Sequence, residues 1–189
     1  MIKSTIKNFS NLLRKLLLKL YKNNIGGHSE ICKEAYLTHS VIGDYCYLGM
    51  YSYFNHVRMG NYCSVSGYVT IGAMEHDYKD VSTSTHLGDG GYSDHITEIG
   101  HDVWIGAQTV VRQGVRIGDG AVIGANSFVN KDVPPYAIAF GTPIKVYKYR
   151  FDDRTIEKIR ESEFWKYPPK DARRIINELK KEDRVWTLK

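Results

Sequence analysis

The sequence predicts an all-β solenoid of about five coils, preceded by one helix and followed by others. Three observations lead to this prediction: an apolar residue returns every six positions, a small or compact residue follows four positions later, and three such hexads repeat after 17 residues before residue 73 and after 18 residues from Ile99 onward. Such a repeat is typical of a chain wound into stacked coils, with one short strand on each side of a coil. The leading apolar positions are Ile25, Ile31, Leu37, Ile42, Leu48, Phe54, Met59, Val65, Ile71, Ile99, Ile105, Val111, Ile117, Ile123 and Val129.

Both repeating columns are expected to face the inside of the solenoid. Neighbouring coils stack at strand spacing, about 4.8 Å, so the aligned side chains fill a narrow core that no single hexad can bury. The second column consists of Ser29, Ala35, Cys46, Ser52, Cys63, Val69, Val103, Thr109, Val115, Ala121, Ser127 and Val133. Cys46 and Cys63 are therefore expected to be small buried residues and not catalytic thiols. Three cysteines without a CxxC pair favour a reducing compartment.

Residues 1–24 are predicted to form a basic amphipathic helix. This segment has six lysines and arginines and no acidic residue. Charges interrupt its apolar stretch, which is too short to span a membrane, and no signal-peptide cleavage site follows it. We expect a cytoplasmic protein whose N-terminal helix either rests on an anionic membrane surface or packs on the protein itself. Its apolar positions are Ile2, Ile6, Phe9, Leu13, Leu16 and Leu20.

The formal net charge of +5 arises in this N-terminal segment. The rest of the chain has 20 basic and 21 acidic residues and is nearly neutral. A nearly neutral body argues against a broad surface for nucleic acid, so we expect no nucleic-acid partner.

The predicted solenoid domain comprises residues 25–149, and a protruding loop of residues 73–98 interrupts its repeat. The loop contains three histidines, His76, His86 and His95. A long loop on a rigid scaffold is a common place for functional residues, and imidazole can act as a general base near neutral pH. His101 lies in a regular coil, so it is expected at the surface.

Residues 150–189 are predicted to form a helical tail. Asp152 or Asp153 can cap a first helix that ends near residue 164. A second helix is expected to start between Pro169 and Asp171, because apolar residues then follow at helical spacing. We expect both helices to serve packing and not chemistry.

Four segments carry a resemblance to a known family. They are Glu75–Asp77, Asp102–Ala107, Gly141–Lys148 and Arg150–Asp152. With the repeat, they make the chain similar to the hexapeptide-repeat acyltransferases, within the branch of xenobiotic and surface-polysaccharide O-acetyltransferases. The resemblance extends from residue 25 to about residue 179, and it implies a left-handed β-helix.

The resemblance also implies a function and a site. It implies an acetyl-CoA-dependent O-acetyltransferase that acts on a sugar hydroxyl in surface-polysaccharide or glycan biosynthesis, with His76 as the general base and no metal. Trp104 matches an aromatic wall near the reaction centre, and His86 matches a loop position that can contact the acceptor. The family forms homotrimers and binds acetyl-CoA between subunits. The matching cofactor positions are Gly106, Ala107, Ala125, Asn130, Lys131, Lys145 and Lys148.

Several alternatives stay open. The acceptor can be a drug of the chloramphenicol or streptogramin type, although such relatives commonly have Asn where this chain has Glu75. His39 and His56 lie one coil apart, as in zinc-dependent β-helices of the carbonic-anhydrase type, but the HxxxxH spacing is missing. A noncatalytic scaffold is a third reading. The group that orients His76 is either a backbone carbonyl or one of the loop acids Asp77, Asp80, Asp89 and Asp94.

Overall fold

The computed structural model describes residues 22–76, 78–87 and 95–182. These residues form a parallel β-solenoid with three sheets, whose strands are numbered along the chain. The first sheet contains β1 (Asn24–Ile25), β4 (Val41–Ile42), β7 (Val57–Met59), β10 (Thr97–Ile99) and β13 (Arg116–Ile117). The second contains β2 (Glu30–Ile31), β5 (Tyr47–Leu48), β8 (Ser64–Val65), β11 (Trp104–Ile105), β14 (Val122–Ile123), β16 (Ala137–Phe140) and β17 (Lys145–Tyr149). The third contains β3 (Tyr36–Thr38), β6 (Tyr53–Asn55), β9 (Thr70–Ala73), β12 (Val110–Arg112) and β15 (Phe128–Val129).

The predicted solenoid is confirmed. Strands pair in parallel from coil to coil, so that each leading apolar residue faces the next one, as Leu48 faces Val65. The chain completes five coils and begins a sixth, in which Val133 bridges Ile117 and β16 pairs with β14. A hexapeptide repeat implies that the coils wind left-handed.

Both predicted columns form the core. All of their members are buried except Ile25, which packs partly buried at the N-terminal end. Cys63 is fully buried, and its Sγ donates to the carbonyl of Gly100 at 3.1 Å. Burial raises the pKa of the Cys63 thiol well above its ordinary value, so the group stays protonated. The prediction that this column is structural is consistent with these contacts.

Aromatic side chains occupy many corners between the sheets. Tyr45 and Tyr62 have left-handed backbone conformations, with φ of 60° and 63°. Such a conformation disfavours residues with a Cβ by about 1–2 kcal/mol. His28, Tyr45 and Tyr62 stack in succession, with 4.8 Å between ring centroids at each step. Each stacked pair contributes about 0.5–1.5 kcal/mol, which offsets part of that cost.

The solenoid ends in a strand that the sequence analysis did not predict. Lys145 and Lys148 were expected as cofactor positions within the solenoid domain, and no strand was predicted for them. Residues 145–149 form β17, which turns back and pairs antiparallel with β16. All five of its residues are exposed. β17 therefore covers the last parallel strand of the second sheet.

The predicted C-terminal helices are present. Helix α1 (Asp153–Ser162) has Asp152 as its N-cap, whose side chain accepts from the Thr155 amide at 2.8 Å. A 3₁₀ turn (Phe164–Lys166) and helix α2 (Pro169–Glu182) follow. Among the described residues, no helix combines the length and apolar character that crossing a membrane requires. Apart from residues 22–24, the predicted N-terminal helix lies outside the described residues.

His101 corrects an expectation, because it is half-buried beneath the tail. Its ring stacks on Trp165 with 5.3 Å between centroids, and its Nδ1 accepts from the Asn61 amide at 2.9 Å. Burial lowers the pKa of His101, and the Asp119 carboxylate opposes part of that effect. This contact could not be predicted from the repeat because Trp165 lies far from His101 in the sequence.

Candidate active site

The loop leaves the solenoid at a bulge in β9. Val111 of β12 faces Ile71, whereas Arg112 faces Ala73, so Gly72 is an extra residue in β9. Gly72 has a φ of 70°, and a Cβ there would lie 2.1 Å from the carbonyl oxygen of Asn55. A bulge of this kind redirects a strand. It sends the chain out of the coil four residues before His76.

The ring of His76 is oriented by a backbone carbonyl. Its Nδ1 lies 2.6 Å from the carbonyl oxygen of Thr83, within the same loop. A carbonyl can only accept a hydrogen bond, so Nδ1 carries the proton and the basic lone pair is on Nε2. Of the acids considered as orienting groups, Asp80 instead accepts from the Val81 amide. The other candidates, Asp77, Asp89 and Asp94, lie outside the described residues.

The residue before His76 forms a two-pronged ion pair with the next coil. Arg112 donates from Nε to Oε1 of Glu75 at 2.6 Å and from Nη2 to Oε2 at 2.7 Å. These bonds lower the pKa of the Glu75 carboxyl, against a smaller effect of burial. This pair was not predicted from the sequence. A signal was present, because Arg112 is the one charged residue directly after a leading apolar residue of the repeat.

The returning end of the loop is joined to the coils through Thr97. Its amide donates to the carbonyl of His56 at 2.9 Å, and its Oγ1 accepts from the Gly114 amide at 3.2 Å. Glu98 follows in β10 and pairs with Arg116 of the next coil, with 2.8 Å between Oε2 and Nε. The regular ladder therefore resumes at once after the loop.

His39 and His56 stack at the corner beside the loop, with 4.8 Å between their ring centroids. His39 Nδ1 lies 2.8 Å from Thr38 Oγ1. Among the described residues, the buried Nδ1 of His56 has no hydrogen-bond partner. Within the same part of the chain, no group of three or more His, Cys, Asp or Glu side chains is placed to hold a metal ion.

Three of the predicted cofactor residues meet at the corner between the second and third sheets. Gly106 lies directly over Ala125, whose amide nitrogen would be 2.5 Å from a Cβ on residue 106. Coil stacking alone therefore requires this glycine. Ala125 is exposed, and the carbonyl of Ala107 accepts from the Asn126 amide at 2.9 Å. Small side chains thus leave this edge of the solenoid open to a thin ligand.

The remaining predicted cofactor residues lie elsewhere on the surface. Asn130 and Lys131 are exposed after β15, at the opposite end of the third sheet from Gly106. Lys145 and Lys148 are exposed on β17. The single chain therefore does not gather all of these positions into one cluster.

Trp104 and His86 are both exposed, on different parts of the protein. Trp104 projects from β11, with 54% of its surface exposed, and lines a hollow of about 410 Å³. The other residues of the hollow are Ser64, Asp102, Val122 and Arg150. His86 belongs to the loop, where its amide donates to Ser84 Oγ at 3.3 Å. His76 does not line the hollow beside Trp104.

Comparison with known proteins identifies the repeat. Residues 96–131 match the family described as bacterial transferase hexapeptide (six repeats). These residues form the two coils that contain β10 to β15. These two coils are bacterial transferase hexapeptide repeats.

Relatives of this hexapeptide-repeat chain are acetyltransferases. It is 53% identical over 72 residues to a chloramphenicol acetyltransferase of Morganella morganii, covering 38% of this chain and 34% of that protein. It is 46% identical over 74 residues to the galactoside O-acetyltransferase of Escherichia coli strain K12, covering 35% of this chain and 36% of that protein. The matches therefore span about a third of the length of these curated relatives.

A solved structure extends the similarity over most of the fold. A hexapeptide-repeat-containing acetyltransferase from Vibrio cholerae O1 biovar eltor, complexed with acetyl coenzyme A, superposes with a TM-score of 0.61 and 25% identity. The superposition covers 75% of this chain and 78% of that one.

Proposed function

We propose that this chain is an acetyl-CoA-dependent O-acetyltransferase in which His76 is the general base. The observation that carries the proposal is the 2.6 Å contact between His76 Nδ1 and the Thr83 carbonyl. It fixes the ring and its tautomer on a loop that leaves a hexapeptide coil. The acetyltransferase names of the relatives and the acetyl coenzyme A bound to the Vibrio cholerae protein support the reaction class.

The proposed chemistry uses Nε2 of His76. A hydroxyl is a weak nucleophile at neutral pH, so the base accepts its proton while the oxygen bonds to the acetyl carbon. The carbon–sulfur bond of the thioester breaks, and His76 returns the proton to the departing sulfur. Acetyl-CoA supplies the acetyl group, and every proton that moves passes through one imidazole.

The residues present fit an extended, phosphate-bearing co-substrate. The small side chains at positions 106, 107 and 125 permit a pantetheine arm to approach the coil backbone. Lys145 and Lys148 are exposed cations that suit its phosphates, and Asn130 and Lys131 add a polar edge. Because His76 and these positions lie apart in one chain, we propose that the site is completed between subunits of a homotrimer.

We propose a sugar hydroxyl of a surface polysaccharide or glycan as the acceptor. The galactoside relative supports this choice. So does Glu75, which replaces the Asn common before the loop histidine of drug-modifying enzymes. A chloramphenicol-type acceptor is the second candidate, and the 53% identity to the Morganella morganii protein favours it.

Acetyl transfer by the His76→Ala variant tests the catalytic role. Removal of a general base lowers kcat by about 10²–10⁴-fold. His28→Ala is the matched control, because His28 is an exposed histidine on the first corner, paired with Asp44. Near wild-type turnover by His76→Ala removes His76 from the role.

An acceptor panel tests the substrate class. Simple galactosides, nucleotide sugars, oligosaccharides and chloramphenicol are each supplied with acetyl-CoA, and products are weighed by mass spectrometry. We expect the larger kcat/KM with a glycan acceptor. Preference for chloramphenicol establishes the second candidate.

A further inference from the structure

We propose that Glu75 and Arg112 are positioning residues that hold His76 in its reactive orientation. This inference rests on the proposed function, in which His76 is the base. The planar guanidinium meets both carboxylate oxygens, at 2.6 and 2.7 Å, so the pair fixes a direction as well as a distance. Because Glu75 is bonded directly to His76 in the chain, that direction is passed on to the histidine backbone.

Arg112 is suited to this task because it stands on the rigid part of the molecule. It ends β12, which pairs with β9 on one side and β15 on the other. The bulge at Gly72 brings Ala73 opposite Arg112, and Glu75 follows two residues later. The ion pair thus joins the start of the loop to the next coil of the solenoid.

Among the described residues beyond His76, the segment 82–87 forms several hydrogen bonds within the loop. The Ser84 and His86 amides donate to hydroxyls of Ser82 and Ser84, and the Leu87 amide donates to the Ser84 carbonyl. Thr83, the partner of His76, belongs to this same run. Contacts of this kind shape the loop but do not orient it relative to the solenoid. The Glu75–Arg112 pair, in contrast, joins the segment that carries His76 directly to the solenoid.

Glu98 and Arg116 provide a matched control within the same fold. They also pair across adjacent coils, with 2.8 Å between Oε2 and Nε. Glu98, however, lies inside β10, where its backbone is held by pairing with β7 and β13. Loss of that ion pair leaves the backbone in place, whereas Glu75 lies outside any strand.

The test compares Arg112→Gln, Glu75→Gln and Arg116→Gln with the wild type. We expect Arg112→Gln and Glu75→Gln to lower kcat at least about tenfold, because small displacements of a catalytic group are costly. The KM for acetyl-CoA should stay within about twofold, since ground-state binding does not use the pair. Arg116→Gln should keep kcat within about twofold of wild type. Equal kcat values for Arg112→Gln and Arg116→Gln overturn the inference.

Two further readouts separate positioning from general damage to the fold. The exchanged pair, Glu75→Arg with Arg112→Glu, should recover part of the lost kcat if the two residues act through each other, whereas independent damage by each substitution would add up. The two single variants should shift the pH–rate profile in opposite directions. Arg112→Gln leaves an unpaired carboxylate next to His76, which favours the protonated ring and moves the acidic limb of the profile to higher pH. Glu75→Gln leaves an unpaired guanidinium, which disfavours the protonated ring and moves that limb to lower pH.

The ring itself can be observed without turnover. In ¹⁵N spectra of histidine-labelled protein, the wild type should show His76 with its proton on Nδ1, as the Thr83 contact requires. Arg112→Gln should show a mixture of tautomers, and Arg116→Gln should not. If the wild type transfers no acetyl group to any acceptor, the proposed function fails, and these spectra still decide whether the pair positions the ring. An unchanged tautomer in Arg112→Gln contradicts the inference.

Discussion

At the scale of single residues, the role of Gly72 is steric. Its φ of 70° is matched by that of Tyr62, 63°, which carries a full side chain at a corner. Gly72 differs because a Cβ would lie 2.1 Å from the backbone oxygen of Asn55, in the preceding coil. Backbone oxygens cannot move aside as a flexible side chain can. The bulge that releases the loop therefore depends on a hydrogen atom in the place of a Cβ.

The Gly72→Ala substitution is expected to lower the free energy of unfolding by about 1–3 kcal/mol, the usual cost of overpacking. Urea unfolding measures the change. Gly27→Ala is the control, because no atom lies within 4 Å of a Cβ built there. Equal stability of the two variants contradicts the steric argument.

The hydroxyl of Tyr136 leads to a prediction of the opposite sign. It is buried, and among the described residues it has no hydrogen-bond partner. Burial raises the pKa of Tyr136 and keeps the group neutral. Tyr136→Phe should therefore raise the free energy of unfolding by about 1 kcal/mol. Tyr62→Phe should lower it by a similar amount, because the Tyr62 hydroxyl donates to the carbonyl of Tyr167 at 2.7 Å. A lower melting temperature for Tyr136→Phe would falsify this account.

At the scale of elements, the tail is docked on the solenoid by contacts along one corner. Trp165 stacks on His101, and its carbonyl accepts from Asn61 Nδ2 at 2.9 Å. His101 Nδ1 accepts from the Asn61 amide, so the ring is neutral in the docked state. The docking of α1 and α2 is consequently linked to the protonation of one imidazole.

This linkage predicts weaker docking in acid. Because the pKa of His101 is lower in the folded protein than in the unfolded chain, the unfolded chain binds more protons as the pH falls. The stabilisation is complete at a pH above the pKa of histidine in the unfolded chain, about 6.5, and is lost as the pH drops below that pKa. Between about pH 8 and pH 5.5, the melting temperature of wild type should fall more steeply than that of His101→Gln. Parallel slopes in calorimetry would remove His101 as the source.

At the scale of the whole molecule, the proposed base and the proposed phosphate-binding lysines lie apart in one chain, which supports the proposal that two subunits share the site. His76 follows the third sheet, whereas Lys145 and Lys148 lie on β17 of the second. Two defective chains should then complement each other. A mixture of His76→Ala with the Lys145→Ala/Lys148→Ala double variant should contain about a quarter of interfaces with both sets of residues intact.

The measurement is acetyl transfer after the two chains are co-expressed, compared with each chain expressed alone. We expect more activity from the mixture than from either parent. Mixed activity no greater than the mean of the parents contradicts a shared site, and a monomeric sedimentation profile of the active wild type does so as well.

The parts of the fold that repeat were predictable, and the parts that depend on distant contacts were not. Each coil presents the same inward columns, so local spacing sufficed to assign the strands. β17 was not predicted because its lysines indicated only a charged surface. Its partner β16 lies beyond the last hexad of the repeat, so the spacing gave no signal for either strand. The burial of His101 depends on Trp165, and the Glu75–Arg112 pair joins residues 37 positions apart. A backbone carbonyl was one of the groups predicted to orient His76. Which carbonyl it is depends on the path of the loop.

The backward turn of β17 also gives the molecule a definite length. A parallel solenoid that stops abruptly exposes a row of unpaired amides and carbonyls, and such an edge can recruit further chains into fibres. β17 pairs with β16 in the opposite direction and carries Lys145 and Lys148 at the outer margin. Charged edge strands resist further pairing. Nothing in the repeat itself limits the number of coils. β17 ends the second sheet, and end-to-end polymerisation through that sheet is thereby opposed at this end.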